Sequence, residues 1–123
     1  MSKPETLPSS LREKKRYVAF GIISEEKIDF GNLVNALWSH ILDLFGEVNT
    51  GDINFWLVKD VWDKEKQRGL VKCNHKHVAE VRLALALVDR IGDAEVSIRT
   101  IGVSGTMKSA RKKYFGEKDL EDF

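Results

Sequence analysis

The sequence has little cysteine, little proline and no long apolar run, and each scarcity excludes a class of protein. A single cysteine, Cys73, permits no intramolecular disulfide, which argues against a disulfide-rich secreted domain and predicts a reducing, cytoplasmic setting. No apolar stretch approaches the about 20 residues that a membrane-spanning helix needs, so no membrane partner is expected. Both prolines lie in the polar segment 1–10, which lacks a signal-peptide core and predicts a disordered leader.

Net charge is also small, at +1, but the charges are unevenly distributed along the chain. Four cations precede the first predicted strand: Arg12, Lys14, Lys15 and Arg16. Four more follow the last predicted strand: Lys108, Arg111, Lys112 and Lys113. Residues 117–123 carry four acids against one lysine and form an acidic tail. One domain is expected between leader and tail, over residues 11–116, because an apolar fraction of 42% suffices for a single core.

Hydrophobic periodicity predicts a βαββαβ order followed by a third helix. The predicted strands are residues 16–24, 53–62, 68–73 and 95–103. The predicted helices are residues 30–45, 75–91 and 104–115, the first capped by Asp29 and stopped by Gly46, the second capped by Asn74. This order is typical of an α+β, ferredoxin-like (split βαβ, RRM-like) sandwich with a four-stranded antiparallel sheet and an extra C-terminal helix. Right-handed crossovers predict the strand order 4-1-3-2, with two helices on one face of the sheet.

A glycine-rich turn joins the fourth predicted strand to the closing helix. We predict that it binds phosphate, because glycine lets the backbone approach a ligand and helix N-terminal N–H groups attract anions. The residues of this phosphate turn are Gly102, Ser104, Gly105 and Thr106. The basic cluster behind it and the one before strand 1 flank neighbouring strands, which favours a nucleic acid over the ordinary interpretation of solvated charge runs.

Three familiar nucleotide-binding patterns fit this chain poorly. The predicted third strand begins with Arg68-Gly69, as in an RRM, but has Leu70 and Lys72 where RRM aromatics stack on bases. Because this strand has no aromatic platform on which bases could stack, recognition of the backbone or shape of structured RNA is favoured. The Gly102–Gly105 spacing matches the KH loop but follows a strand, and the Walker A sequence Gly-Lys-Ser/Thr is absent.

Metal binding and catalysis find no support in the pattern. Cys73, His75 and His77 are close in sequence but straddle a strand end and a helix start, so their side chains are expected to diverge. A buried thiol beside two surface histidines is the simpler interpretation, and no acid–base or nucleophilic set of residues stands out.

A second apolar spot on the second predicted helix is covered either by the third helix or the leader, or by a protein partner. Leu83 and Leu87 lie on the side of the second helix opposite its main apolar stripe. Three tryptophans are more than a small two-helix sandwich readily buries, and tryptophan is common at interface centres. The residues expected to meet a protein are Leu83, Leu87, Trp38, Trp56 and Trp62.

Three blocks of the sequence resemble the archaeal ribonuclease P protein component 2 family, whose eukaryotic counterparts are shared by RNase P and RNase MRP. They are LREKKRY at residues 11–17, HVAEVRLAL at residues 77–85 and RTIGVSGTMK at residues 99–108. The resemblance implies a ferredoxin-like subunit of the particle that removes the 5′ leader of precursor tRNA. It implies that the RNA subunit carries the Mg²⁺-dependent catalytic site, so this chain binds no cofactor and has no catalytic activity alone.

The same resemblance implies two partners, the RNase P RNA and a TIM-barrel protein subunit, and suggests a homodimer within a heterotetramer. The positions carried over as RNA contacts from charge and motif are Arg12, Lys14, Lys15, Arg16, Arg99, Lys108, Arg111, Lys112 and Lys113. Two alternatives stay open on the residues alone. One is a protein-interaction or regulatory module without RNA binding, and the other, disfavoured for want of a catalytic set, is a small-molecule enzyme.

Overall fold

A computed structural model describes residues 14–116, which contain three α-helices and a four-stranded antiparallel sheet. The sheet consists of β1 (Lys15–Ile23), β2 (Trp56–Leu57), β3 (Arg68–Asn74) and β6 (Ser97–Ser104), and a separate hairpin consists of β4 (Arg90–Ile91) and β5 (Ala94–Glu95). The helices are α1 (Phe30–Ile53), α2 (Val78–Leu87) and α3 (Met107–Tyr114). The predicted leader, Arg12 and the acidic tail at residues 117–123 lie outside the described residues.

The strand order confirms the ferredoxin-like plan. The sheet runs β2-β3-β1-β6 with every pair antiparallel, which is the predicted order 4-1-3-2. Along β1, Val18, Phe20 and Ile22 point into the main core, where they meet apolar residues of α1 and α2. The core between this face and the two helices contains most of the buried apolar residues that stabilise the fold.

The first helix starts where predicted but continues further. Asp29 caps it, since its carboxylate accepts hydrogen bonds from the N–H groups of Gly31 (3.1 Å) and Asn32 (3.4 Å). At Gly46 the backbone leaves the helical region, with φ of 75°, as the predicted stop requires. A second helical segment follows this break and runs to Ile53, where Asn54 ends it in a left-handed conformation.

The predicted strand over residues 53–62 is wrong for most of its length. Ile53, Phe55 and Leu57 are all buried while Trp56 is exposed, so the alternation that suggested a strand does describe burial. Only Trp56–Leu57 forms a strand beside β3, however, because α1 continues to Ile53, Asn54 ends it in a left-handed conformation, and a 3₁₀ turn at Lys59–Val61 follows Leu57.

The second helix is shorter than the predicted 75–91. Asn74 does cap this region, accepting from the N–H of Lys76 at 3.0 Å, but residues His75–His77 form a 3₁₀ turn before α2 begins. The helix ends at Leu87 because the chain then turns into the β4–β5 hairpin, with Gly92 at φ of 61°.

The outer face of the sheet, opposite α1 and α2, is partly covered by α3. Ala110 of this helix is fully buried, and it joins Ala19 of β1 and Leu70 of β3 in a second, smaller core. Phe115 and Tyr114 pack around the same cluster. The third helix therefore closes one part of the outer face and leaves the rest uncovered by helix.

A β-bulge in β6 decides which side chains reach that uncovered part. Ala19 pairs with Gly102 but the next residue, Phe20, pairs with Thr100, so Ile101 is the extra residue. The bulge directs Ile101 towards the outer face, where its Cδ1 lies 3.5 Å from the position of a Cβ on Gly21.

Candidate nucleic-acid interface

The predicted phosphate turn has ordinary backbone geometry. Neither Gly102 nor Gly105 has a positive φ, and β6 continues through Ser104. Thr106 caps α3, its Oγ1 accepting from the N–H of Ser109 at 3.1 Å. The Ser104 hydroxyl is buried, with no hydrogen-bond partner among the described residues. The turn thus starts a helix, and the Thr106 hydroxyl serves as the cap of that helix.

Gly102 allows a close approach, and the group that approaches is a side chain of the protein itself. A Cβ at this position would lie 2.7 Å from Cε1 of Tyr114 and closer still to Cζ and Oη of the same ring. The absence of a side chain at Gly102 therefore seats the last turn of α3 on the sheet.

The basic segment at the start of β1 meets the glycine turn, as the neighbouring strands require. Nη1 of Arg16 lies 4.0 Å from the position of a Cβ on Gly105, and it donates to the carbonyl of Lys15 at 2.9 Å. Lys14 is exposed, whereas Lys15 and Arg16 are half-buried. On α3, Lys108 and Lys112 are exposed and Arg111 is half-buried, and all three take part in interactions within the chain. The two predicted basic clusters thus adjoin at the N-terminal end of α3.

A second basic feature was not predicted as a unit. A groove of about 420 Å³ opens on the uncovered part of the outer face, and Lys66, Arg68 and Arg99 line it. A smaller cavity of about 200 Å³ shares Lys66 and Arg68 and adds Lys113 near the end of α3. We call these four residues the groove cations. Sequence reasoning identified Arg99 and Lys113 but missed Lys66 and Arg68.

The register explains why Arg68 and Arg99 come together. Both residues pair with Gly21 of β1, Arg68 from β3 on one side and Arg99 from β6 on the other. Paired residues of an antiparallel sheet point to the same face, so both side chains project from the outer face. The signal was present in the predicted strand order, which already put these two strands on either side of strand 1.

The groove cations have no acidic partners in the part of the chain that the structure describes. Ion pairs within residues 14–116 join Lys27 to Glu65, His77 to Glu80 and Arg90 to Glu95. Of the carboxylates, Asp63 lines the smaller cavity, where its Oδ1 accepts from the N–H groups of Glu65 and Lys66 at 3.0 Å each. No acidic side chain lines the larger groove. Unpaired cations around a concave surface attract an anion.

A third cavity has the opposite charge. It measures about 560 Å³ and lies beside the β4–β5 hairpin, with four acidic residues in its lining, Glu25, Glu26, Asp93 and Glu95. A polyanion is repelled there, so the distribution of charge selects the outer-face groove as the candidate interface.

The five residues predicted to meet a protein divide into two groups. Trp38 packs on Phe55 with ring centroids 4.3 Å apart, and Trp62 lies 6.5 Å from Phe20, so both rings serve the main core. The remaining three are exposed on the surface, Trp56 by 62%, Leu83 by 49% and Leu87 by 48%. Leu83 and Leu87 are one turn apart on α2 and form an apolar stripe on the helical layer.

Cys73 and the neighbouring histidines do not converge. The Cys73 thiol is buried in the main core, and burial, together with the nearby Glu80 carboxylate, raises its pKa to about 11. His75 faces the Lys14 carbonyl, with Nδ1 3.2 Å from that oxygen, and His77 contacts Glu80. Within residues 14–116 no three His, Cys, Asp or Glu side chains are grouped to hold a metal ion. The same range contains no helix long and apolar enough to cross a bilayer.

Comparison with known proteins gives a consistent result. The sequence model of the Rpp14/Pop5 family matches residues 16–115. Ribonuclease P protein component 2 of Pyrococcus furiosus is 37% identical over 115 residues, which cover 94% of each chain. The protein of the same name from Archaeoglobus fulgidus is 43% identical over 108 residues, covering 88% of this chain and 94% of the relative. A chain in the cryo-EM structure of yeast ribonuclease MRP superimposes with a TM-score of 0.59 at 12% identity, covering 76% of both chains, which supports the fold.

Proposed function

The chain belongs to the Rpp14/Pop5 family, and on that premise we propose that it is a protein subunit of ribonuclease P that binds the folded RNA of the particle through its outer face. The observation that carries the proposal is the set of four groove cations without ion-pair partners among the described residues. Folding a catalytic RNA crowds phosphates together, and cations supplied by a protein neutralise them. Such a subunit lowers the Mg²⁺ concentration that the particle needs.

In this proposal the cleavage of precursor tRNA belongs to the RNA subunit. The Mg²⁺ ions of the reaction are bound by that RNA, and this chain contributes binding and charge neutralisation. The chemistry of its own side chains fits this division, since the one thiol, Cys73, is buried and protonated at neutral pH.

The apolar stripe of Leu83 and Leu87 supports a protein contact on the helical layer. We assign this contact to the TIM-barrel subunit that the family resemblance implies. The proposal also includes a heterotetramer in which two copies of this chain pair with each other. A cytoplasmic location completes the proposal, in keeping with a protein whose only thiol is unpaired.

Reconstituted cleavage tests the proposal directly. Precursor tRNA is incubated with the RNA subunit and the TIM-barrel protein, with and without this chain, across a range of Mg²⁺ concentrations. We expect the chain to shift the Mg²⁺ requirement downwards, and a variant with all four groove cations changed to Ala to lose most of that shift. An Arg82→Ala variant, which removes one exposed cation from α2, is the control for each groove cation changed singly to Ala. An unchanged requirement when the chain is omitted contradicts the proposal.

A protein-interaction module without RNA binding is the second candidate, and the exposed Leu83 and Leu87 favour it. It predicts binding to the TIM-barrel protein but no retardation of a structured RNA in a gel. Retardation that disappears when the groove cations are removed excludes this candidate.

A further inference from the structure

The groove between the two arginines has a floor of unusual composition for a surface site. Gly21 provides no side chain there, while Ile23 and Ile101 are exposed by 55% and 41%. A Cβ on Gly21 would make ordinary contact with Ile101, at 3.5 Å, so an alanine would fit the fold. The glycine therefore leaves open space in the groove that the packing of the protein itself does not demand.

Arg68 and Arg99 both line this space, one on either side of Gly21. Arg68 and Arg99 are both directly opposite Gly21 in register, so two strand spacings, about 10 Å, separate their Cβ atoms. A flat aromatic ring fits between side chains at that separation. Guanidinium planes and apolar side chains are surfaces on which proteins stack unpaired RNA bases.

Lys66 adds a point charge at the rim, beside Arg68. A paired stretch of RNA offers this groove phosphates alone and leaves Ile23 and Ile101 uncovered. An unpaired nucleotide offers a phosphate for the lysine and a base for the apolar floor. The volume, about 420 Å³, is within the range of sites that hold small ligands.

Building on the proposed function, we infer that the groove holds one unpaired nucleotide of the RNA. Its base lies between Arg68 and Arg99 over Gly21 and Ile101, and its phosphate contacts Lys66. The remaining basic surface, around Arg16 and α3, contacts backbone without regard to pairing. The chain thereby recognises a bulged or looped nucleotide without the aromatic platform of an RRM.

The test compares two hairpin RNAs of the same stem sequence, one fully paired and one with a single-nucleotide bulge. Binding of the full chain is measured by fluorescence anisotropy at one salt concentration. We expect the bulged hairpin to bind about tenfold more tightly, as stacking of one base provides. In an Arg68→Lys/Arg99→Lys variant, charge is kept but the planar groups are lost, so the ratio of the two affinities should fall to about one, whatever change the two affinities share.

Gly21→Val gives a second, independent measurement, because it fills the floor without changing charge. We expect it to reduce the ratio of the two affinities to about one, and thermal unfolding checks that the fold is retained. Val48→Ser, which alters an exposed apolar residue on α1, is the control and should keep the preference.

Two outcomes overturn the inference, and they differ from failure of the proposed function. Equal affinity of the wild-type chain for both hairpins removes the nucleotide site but leaves RNA binding intact. A preference that survives Gly21→Val removes the groove as its cause. Binding to neither hairpin contradicts the proposed function and the nucleotide site together.

Discussion

Tyr114 lies directly over Gly102, so one aromatic ring and one missing side chain hold the end of α3 against β6. A Cβ on Gly102 would come within 2.7 Å of the ring, which is closer than non-bonded carbon atoms approach in proteins. The contact fixes the position of the helix that borders the groove, since Tyr114 and Lys113 both line the smaller cavity.

Gly102→Ala should therefore loosen α3. We expect the free energy of unfolding to fall by about 1–3 kcal/mol, the usual cost of an added methyl group in a packed site, as measured by urea denaturation. Gly105→Ala is the matched control, because a Cβ there meets nothing closer than Nη1 of Arg16 at 4.0 Å. Equal destabilisation by both variants would show that the turn, rather than the Tyr114 contact, is sensitive.

Lys66 and Lys113 should each contribute one phosphate contact, since Arg68 and Arg99 are assigned to the base. Changing either lysine singly to Ala is expected to reduce the slope of log K against log salt concentration by about 0.7–0.9. Filter binding with a structured RNA at several salt concentrations measures that slope. Arg82→Ala should leave it unchanged, and an equal loss in that variant would mean that only total charge matters.

The tryptophans should separate into core and surface residues. Trp62→Ala removes a ring whose centroid lies 6.0 Å from that of Phe30 and 6.5 Å from that of Phe20, so we expect a loss of about 3 kcal/mol in the free energy of unfolding. Trp56→Ala should change it by no more than about 0.5 kcal/mol, because that ring is 62% exposed. Comparable losses in the two variants would contradict the assignment.

The apolar stripe on α2 should govern the protein contact. A Leu83→Ser/Leu87→Ser variant is expected to weaken binding to the TIM-barrel subunit by about thirtyfold, equivalent to about 2 kcal/mol. Isothermal titration calorimetry measures this, and RNA affinity should stay unchanged. Val48→Ser, which changes an exposed apolar residue on α1, should bind the subunit normally. If it does not, the binding surface extends onto α1 and is wider than the stripe.

Cys73 makes stability depend on alkaline pH. Its pKa is about 11 in the folded chain against an ordinary value of 9.0, because burial disfavours the thiolate. A group with a raised pKa stabilises the fold fully below pH 9, and that contribution is lost progressively as the pH rises to about 11. Urea denaturation at several pH values should show this loss, and the Cys73→Ala variant should lack it. The native thiol should also react slowly with a disulfide reagent at pH 8.

The topology was predictable because it depends on hydrophobic periodicity, which is visible in the sequence. Period-2 and period-3.6 repeats identified four strands and three helices, and handedness rules gave their order. The error in the predicted strand over residues 53–62 has a local cause. Ile53, Phe55 and Leu57 alternate with polar or exposed positions, as residues of a strand would. The helical segment after Gly46 nevertheless continues to Ile53, so this alternation in burial does not come from one continuous strand.

The site was predictable only in part. Arg99 and Lys113 stood out within a basic, glycine-rich segment, whereas Lys66 lies in a polar turn and Arg68 at a strand start, where cations are commonplace. Their convergence depends on register, which sets Arg68 and Arg99 on either side of Gly21. The bulge that brings Ile101 into the same groove shifts the pairing by one residue between Ala19 and Phe20, and local sequence gives little warning of such a shift.

The sheet separates two kinds of surface, with the Leu83–Leu87 stripe on its helical side and the groove cations on the other. The two surfaces share no residue and lie on opposite sides of the sheet, so occupation of one surface should leave affinity at the other unaltered. If the coupling free energy between the two surfaces is near zero, RNA and protein bind with the same affinity in either order. The chain is then equally able to recruit a protein to an RNA or an RNA to a protein.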